Sequence, residues 1–175
     1  MENDSVHVLP SGEARRENHR QCRRELLALL QGETDEIALM ASIAALLIRS
    51  MPQASFVGFY RVVEPGLLVI GPYQGPVGCL RIPFDRGVCG AAARRARSIL
   101  VPDVQAFPGH IACDASAASE LVVPVFNPAG ELIAVLDCDS RLPAAFDLTD
   151  QVELEATLRM VFGGTSARGG EKRED

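Results

Sequence analysis

The chain has 175 residues, 47% of them apolar and 23% charged, which is one domain of ordinary globular composition, long enough to bury about two-thirds of its unfolded surface without a disulfide or metal staple. A net charge of −6 argues against a general binder of nucleic acid or anionic membrane. Five cysteines, no tryptophan and a single lysine (Lys172, against 16 arginines) are the unusual counts, and the lysine's place in a polar tail argues against lysine catalysis.

Residues 1–20 are polar and carry no apolar core of a signal peptide. Residues 1–18 read as a flexible arm, 19–162 as one folded domain and 163–175, Gly-rich and charged, as a disordered tail. Cys22, Leu26, Leu29 and Leu30 predict a first helix over 19–31, stopped by Gly32. Thr34 is the expected N-cap of a second helix whose stripe is Ile37, Met40, Ala41, Ala44, Leu47 and Ile48. The apolar run from Ile37 to Ile48 is interrupted by Ser42 and falls short of the ~18 residues of a membrane span. A cytoplasmic location is therefore expected, where thiols stay reduced. Phe56–Val63 and Leu67–Ile70 predict a hairpin turning at Glu64-Pro65-Gly66. A short strand over 80–83, a helix over 87–97 with a Gly-rich start, and a short strand over 98–101 follow. Residues 102–118 form a connection longer than the usual ~12–15 residues, a length typical of functional loops. A second hairpin, 120–126 and 132–138, leads to a closing helix capped by Asp147. Strands joined by tight turns, with helices set apart from them, predict an α+β domain built on an antiparallel sheet.

The cysteines differ by position. Cys22 lies on a helical apolar stripe and Cys138 inside a strand, so both read as packed residues. Cys89 begins a helix, where the positive end of the helix dipole favours a thiolate, although a packed cysteine fits equally well. Cys113 lies in the long loop near His110, and Cys79 in a Gly/Pro loop. The spacing of Cys79, Cys89 and Cys113 contains no C-x₂₋₄-C pair, so a zinc site is not expected.

Alternation puts Asp137 and Asp139 on one strand face and Cys138 on the other. Glu120 starts the hairpin partner, where antiparallel pairing brings it toward the end of the next strand. Three carboxylates brought together raise at least one pKa and can bind an ammonium group. A solvated Glu120 and a strand-ending Asp139 account for the pattern equally well.

The segments Val57-Gly58-Phe59-Tyr60, Gly71-Pro72-Tyr73-Gln74-Gly75, Arg81-Ile82-Pro83-Phe84, Gly87-Val88-Cys89-Gly90, Phe107-Pro108-Gly109-His110-Ile111-Ala112-Cys113-Asp114, Ser119-Glu120 and Leu136-Asp137-Cys138-Asp139-Ser140 together resemble the free methionine-(R)-sulfoxide reductases, stand-alone GAF-domain enzymes. The resemblance implies a GAF-like antiparallel sheet flanked by helices and free methionine-(R)-sulfoxide as substrate. It implies redox roles for Cys113, Cys79 and Cys89, and substrate binding by Glu120, Asp137 and Asp139, with Phe56 and Tyr60 at the pocket. The family carries Trp where this chain has Phe56. Thioredoxin as external reductant, no bound cofactor and a homodimer are also implied. Cys113 is the expected attacking thiolate, with Cys79 before Cys89 as resolving partner. The helix-terminus reasoning keeps open the exchange of Cys89 and Cys113 in these roles. A non-catalytic GAF sensor of a small ligand, or of thiol redox state, is the alternative.

Overall fold

The structure, a computed structural model, describes residues 12–110 and 114–163. Residues 1–11 of the expected arm, residues 164–175 of the expected tail and loop residues 111–113, Cys113 among them, lie outside the described residues.

Eight of the elements precede the second hairpin. They are α1 (Gly12–Leu29), α2 (Glu36–Ser50), β1 (Phe56–Glu64), β2 (Leu67–Gln74), β3 (Arg81–Pro83), α3 (Gly87–Arg95), β4 (Ile99–Val101) and a 3₁₀ turn over Val104–Ala106. Then come β5 (Ser119–Phe126), β6 (Leu132–Ser140) and α4 (Leu148–Phe162). The strands form one antiparallel sheet in the order β3-β2-β1-β6-β5-β4. This is an α+β architecture, with the two long hairpins side by side at the centre.

The period of the strands sorts the core into two layers. One face presents Val57, Phe59, Leu121, Val123, Val125, Leu136 and Cys138 to α1, α2 and α4. The other presents Phe56, Tyr60, Val122 and Val135 to α3, where Val88, Cys89 and Ala92 pack against them. Asp137 and Asp139 therefore face α3, while Cys138 between them lies in the opposite core.

Three boundaries differ from the sequence reading, each for a physical reason. Helix α1 begins at Gly12, inside the expected arm. Its first turns bury Arg15 and His19 instead of apolar residues, so no hydrophobic period announces them. Both side chains meet Asp150 on α4: Arg15 through its guanidinium, and His19 at 2.8 Å from Oδ1. The N-cap of α2 is Asp35, not Thr34; its carboxylate accepts the Ala38 N–H at 2.8 Å. Strand β2 continues past Ile70 to Gln74, through Gly71 and Pro72. Pairing with β3 involves only Leu67, Leu68 and Val69, so Pro72 sits where β2 has a free edge and its missing N–H costs nothing. A register shift against β1 between Gly58 and Tyr60 absorbs the irregularity.

The long connection is strapped at several points. Asp103 caps the 3₁₀ turn, Val104 N–H bonds Ala118 O at 3.0 Å, and Ala118 N–H bonds Ser140 O at 2.7 Å. The two described ends of the connection are thereby held beside the end of β6.

Asp150 accepts from Arg15, His19 and the Asp147 N–H, completing a capping box while fully buried. Removing one partner of a buried ion pair strands the other charge and costs about 3–5 kcal/mol. Asp150→Ala is expected to lower the unfolding free energy by about 3 kcal/mol in urea, with an unchanged m-value; a loss under ~1 kcal/mol would show that α1 is not held through this contact.

Candidate active site

The Gly87-Val88-Cys89-Gly90 motif explains how α3 meets the sheet. Gly87 has φ +66°, a left-handed conformation open to glycine, and its N–H donates to Gly109 O at 3.1 Å. A Cβ on Gly90 would stand 2.4 Å from Pro83 O, so only glycine lets the helix descend onto the end of β3. Cys89 is thereby pressed toward the sheet, with 3% of its surface exposed.

Opposite it, β5 and β6 supply the acids. Glu120 pairs directly with Asp139, and Asp137 lies opposite Val122 on one side and Gly58 on the other. Directly paired residues share a sheet face, so the three carboxyls converge beneath α3. Cys89, His110, Asp114, Glu120, Asp137 and Asp139 line a small cavity of about 20 Å³. The Cys89 thiol donates toward Glu120 Oε1 at 3.9 Å, and His110 Nε2 lies 3.9 Å from Glu120 Oε2. Asp137 Oδ1 is buried with no hydrogen-bond partner among the described residues.

Removal from water dominates the electrostatics. Burial pushes the Asp137 carboxyl up to about 7. Glu120 and Asp139 are driven well above the usual carboxylate range, first by burial and then by the charge of Asp137. The cluster therefore holds protons near neutral pH, which few surface carboxyls do. Burial lowers the pKa of His110, favouring the neutral ring.

Cys89 departs from the helix-terminus reasoning. Its pKa is raised well above the ordinary thiol value, by burial first and then by Asp137, Glu120 and Asp139. A helix N-terminus contributes about 0.3–1 kcal/mol at an exposed site. Complete desolvation beside three acids outweighs that, and Cys89 is a protonated thiol at neutral pH.

The remaining expected residues fall as follows. Cys79 is disulfide-bonded, and Cys22, Cys89 and Cys138 are free thiols. Cys113 lies outside the described residues. Phe56 and Tyr60 are absent from the cavity wall and belong to the apolar cluster behind Val88 and Cys89. Phe56 stacks on Tyr73 with ring centroids 5.5 Å apart. The ring occupies the space left by Gly58, whose added Cβ would stand 2.7 Å from its tip. The Tyr60 hydroxyl accepts the Cys79 N–H, and a Cβ on Gly78 would come within 2.7 Å of that oxygen. Tyr60 thus anchors the backbone of the Cys79 loop. Ile82, Asp114 and Ala117 also line the cavity, and none was singled out from the sequence. His110 carried only a weak signal there; the Gly109–Gly87 bond brings it in.

The GAF domain family model matches residues 33–159. A free methionine-R-sulfoxide reductase from Escherichia coli is 41% identical over 145 residues, covering 81% of this chain and 87% of that protein. The free methionine-R-sulfoxide reductase of Neisseria meningitidis, solved in complex with its substrate, is 39% identical with a TM-score of 0.76, covering 89% of this chain and 93% of that one. The reduced form of the Staphylococcus aureus fRMsr is also 39% identical, with a TM-score of 0.79, over 83% of this chain and 93% of that one. The chain belongs to the free methionine-R-sulfoxide reductase family of GAF-domain proteins.

The raised carboxyls set the sign of a pH dependence. A carboxyl whose folded pKa lies above its ordinary 3.8 binds more protons in the native state than in the unfolded one. Asp137 therefore costs stability progressively as pH rises from about 4 to about 7. In Asp137→Asn the fall of unfolding free energy across that window is expected to be shallower by about one proton. Urea unfolding at successive pH values measures it; equal slopes would mean that Asp137 is ionised in the native state throughout.

Proposed function

We propose that this member of the free methionine-R-sulfoxide reductases reduces free methionine-(R)-sulfoxide to methionine, using Cys113 as the attacking thiolate. The observation that carries the reading is the proton-holding cluster of buried Glu120 and Asp137 with half-buried Asp139. Sulfoxide reduction needs an acid at the departing oxygen, and an amino-acid substrate needs anions for its ammonium group. One cluster with spread pKa values serves both needs. An entering ammonium favours ionisation of its neighbours and leaves the most shielded carboxyl as the acid.

In the proposed sequence the Cys113 sulfur attacks the sulfoxide sulfur. A carboxyl of the cluster protonates the oxygen, the hydroxyl passes from the sulfoxide sulfur to the Cys113 sulfur, the bond between the two sulfurs breaks with its electron pair going to methionine, and Cys113 is left as a sulfenic acid. Cys79 then attacks that sulfur, water departs and a disulfide forms. A dithiol reductant of the thioredoxin type restores both thiols by exchange. The raised pKa of Cys89 supports Cys113 over Cys89 as the nucleophile, since the thiolate is the reactive form. The disulfide at Cys79, beside free thiols at Cys22, Cys89 and Cys138, supports Cys79 as the resolving residue. Phe56 keeps an aromatic wall behind the site with less area than the family's Trp. We further propose a homodimer working in the cytoplasm, with no resident cofactor.

A cavity of about 20 Å³ admits roughly one water, far less than an amino acid. The disulfide-bonded state is therefore read as the closed product of turnover, which reduction opens to substrate.

With thioredoxin, its reductase and NADPH, catalytic NADPH loss is expected with the R epimer of the free sulfoxide and not with the S epimer. Cys113→Ser should abolish turnover. Cys79→Ser should release a single stoichiometric equivalent of methionine and then stop. Substrate bound without turnover would leave a sensor in place of an enzyme.

Calorimetry should detect substrate binding to the reduced protein and none to the oxidised protein. Equal binding to both would overturn the closed-state reading.

A further inference from the structure

Cys89 takes no part in the chemistry proposed above, yet it stands at the centre of the cavity. We propose that Cys89, Glu120 and Asp137 form a site for one divalent cation of the zinc class in the disulfide-closed protein. The Cys89 sulfur and one oxygen of each carboxylate all lie within 4.8 Å of one another. Bonds of about 2.0–2.3 Å in tetrahedral geometry require ligand separations of roughly 3.3–3.5 Å. The Cys89–Glu120 separation is already 3.9 Å, so closure asks for shifts of a few tenths of an ångström at that pair, within side-chain reach.

Two independent observations point to a ligand here. Asp137 is 5% exposed, and although its carboxyl bonds Cys89 and Glu120, its buried Oδ1 has no partner among the described residues. The cavity of about 20 Å³ has room for a single water-sized occupant. The donors come from α3, β5 and β6, three elements whose relative positions are fixed by the sheet register and by the Gly90 contact. His110 Nε2 lies 3.9 Å from Glu120 Oε2, beside these three ligands but outside their mutual 4.8 Å reach. A thiolate beside the two carboxylates selects zinc and cobalt over magnesium and calcium. The spacing of Cys79, Cys89 and Cys113 gave no hint of this, because the site uses only one cysteine.

Binding must displace the protons held by these groups, so affinity rises with pH. Glu120 and Asp137 are also the proposed anchors of the substrate. On that reading, which this consequence alone depends on, metal and substrate exclude one another.

The test uses the full chain in its oxidised form, with cobalt as the probe and neither substrate nor reductant present. A thiolate-to-cobalt charge-transfer band should saturate at one equivalent per chain and be displaced by zinc. It should vanish in Cys89→Ser that folds by circular dichroism, and Asp137→Asn should weaken cobalt binding about tenfold or more. No band in the parent protein, or a band that persists in Cys89→Ser, would overturn the site. Because the readout involves no turnover, its failure is separable from a failure of sulfoxide reduction.

Discussion

The constraint on which the site depends is a cluster of three carboxyl groups, two of them, Glu120 and Asp137, buried and the third, Asp139, half-buried. Glu120 and Asp139 face each other across one ladder position, Asp137 lies two residues along, and α3 covers all of them. Desolvation of that kind opposes folding, and the surrounding construction offsets it. One sheet face buries a continuous apolar layer against three helices, and the Arg15–Asp150–His19 contact pins the first helix to the last. Stability comes from one side of the sheet and chemistry from the other.

That division also sorts the thiols. Cys138 is a chain neighbour of both Asp137 and Asp139, yet alternation turns it into the helical core. Cys89, distant in sequence, meets the acids because the hairpin register and the glycines of α3 bring it there. Cys79 is tied to the same layer by its N–H bond to the Tyr60 hydroxyl. Proximity along the chain was a poor guide to shared chemistry, and strand parity was a good one.

Much of the framework was legible for that reason. Parity placed Asp137 and Asp139 on one face, hairpin geometry set Glu120 beside them, and β1, β5, β6 and α4 followed from pattern and turn residues. The errors share a cause: each involves a polar or backbone interaction with no periodic trace. The start of α1 is buried through Arg15 and His19, and β2 survives Pro72 because β3 is short. Sequence left Cys89 evenly between a helix-terminus thiolate and a packed thiol, because helix position is visible there and burial beside three acids is not. His110 enters through one backbone bond between two glycines.

The contact beneath Gly90 has a consequence for how such a site can drift. The height of the roof over the acids is limited by helix backbone resting against the carbonyl of Pro83. Among the lining residues, Ile82 packs in the same buried layer as Val88, Cys89 and Ala92 and so shares in holding the helix. A single methyl group at position 90 would move the whole ceiling. The enclosure behaves as a vault whose ceiling tolerates no side chain at its point of contact with β3.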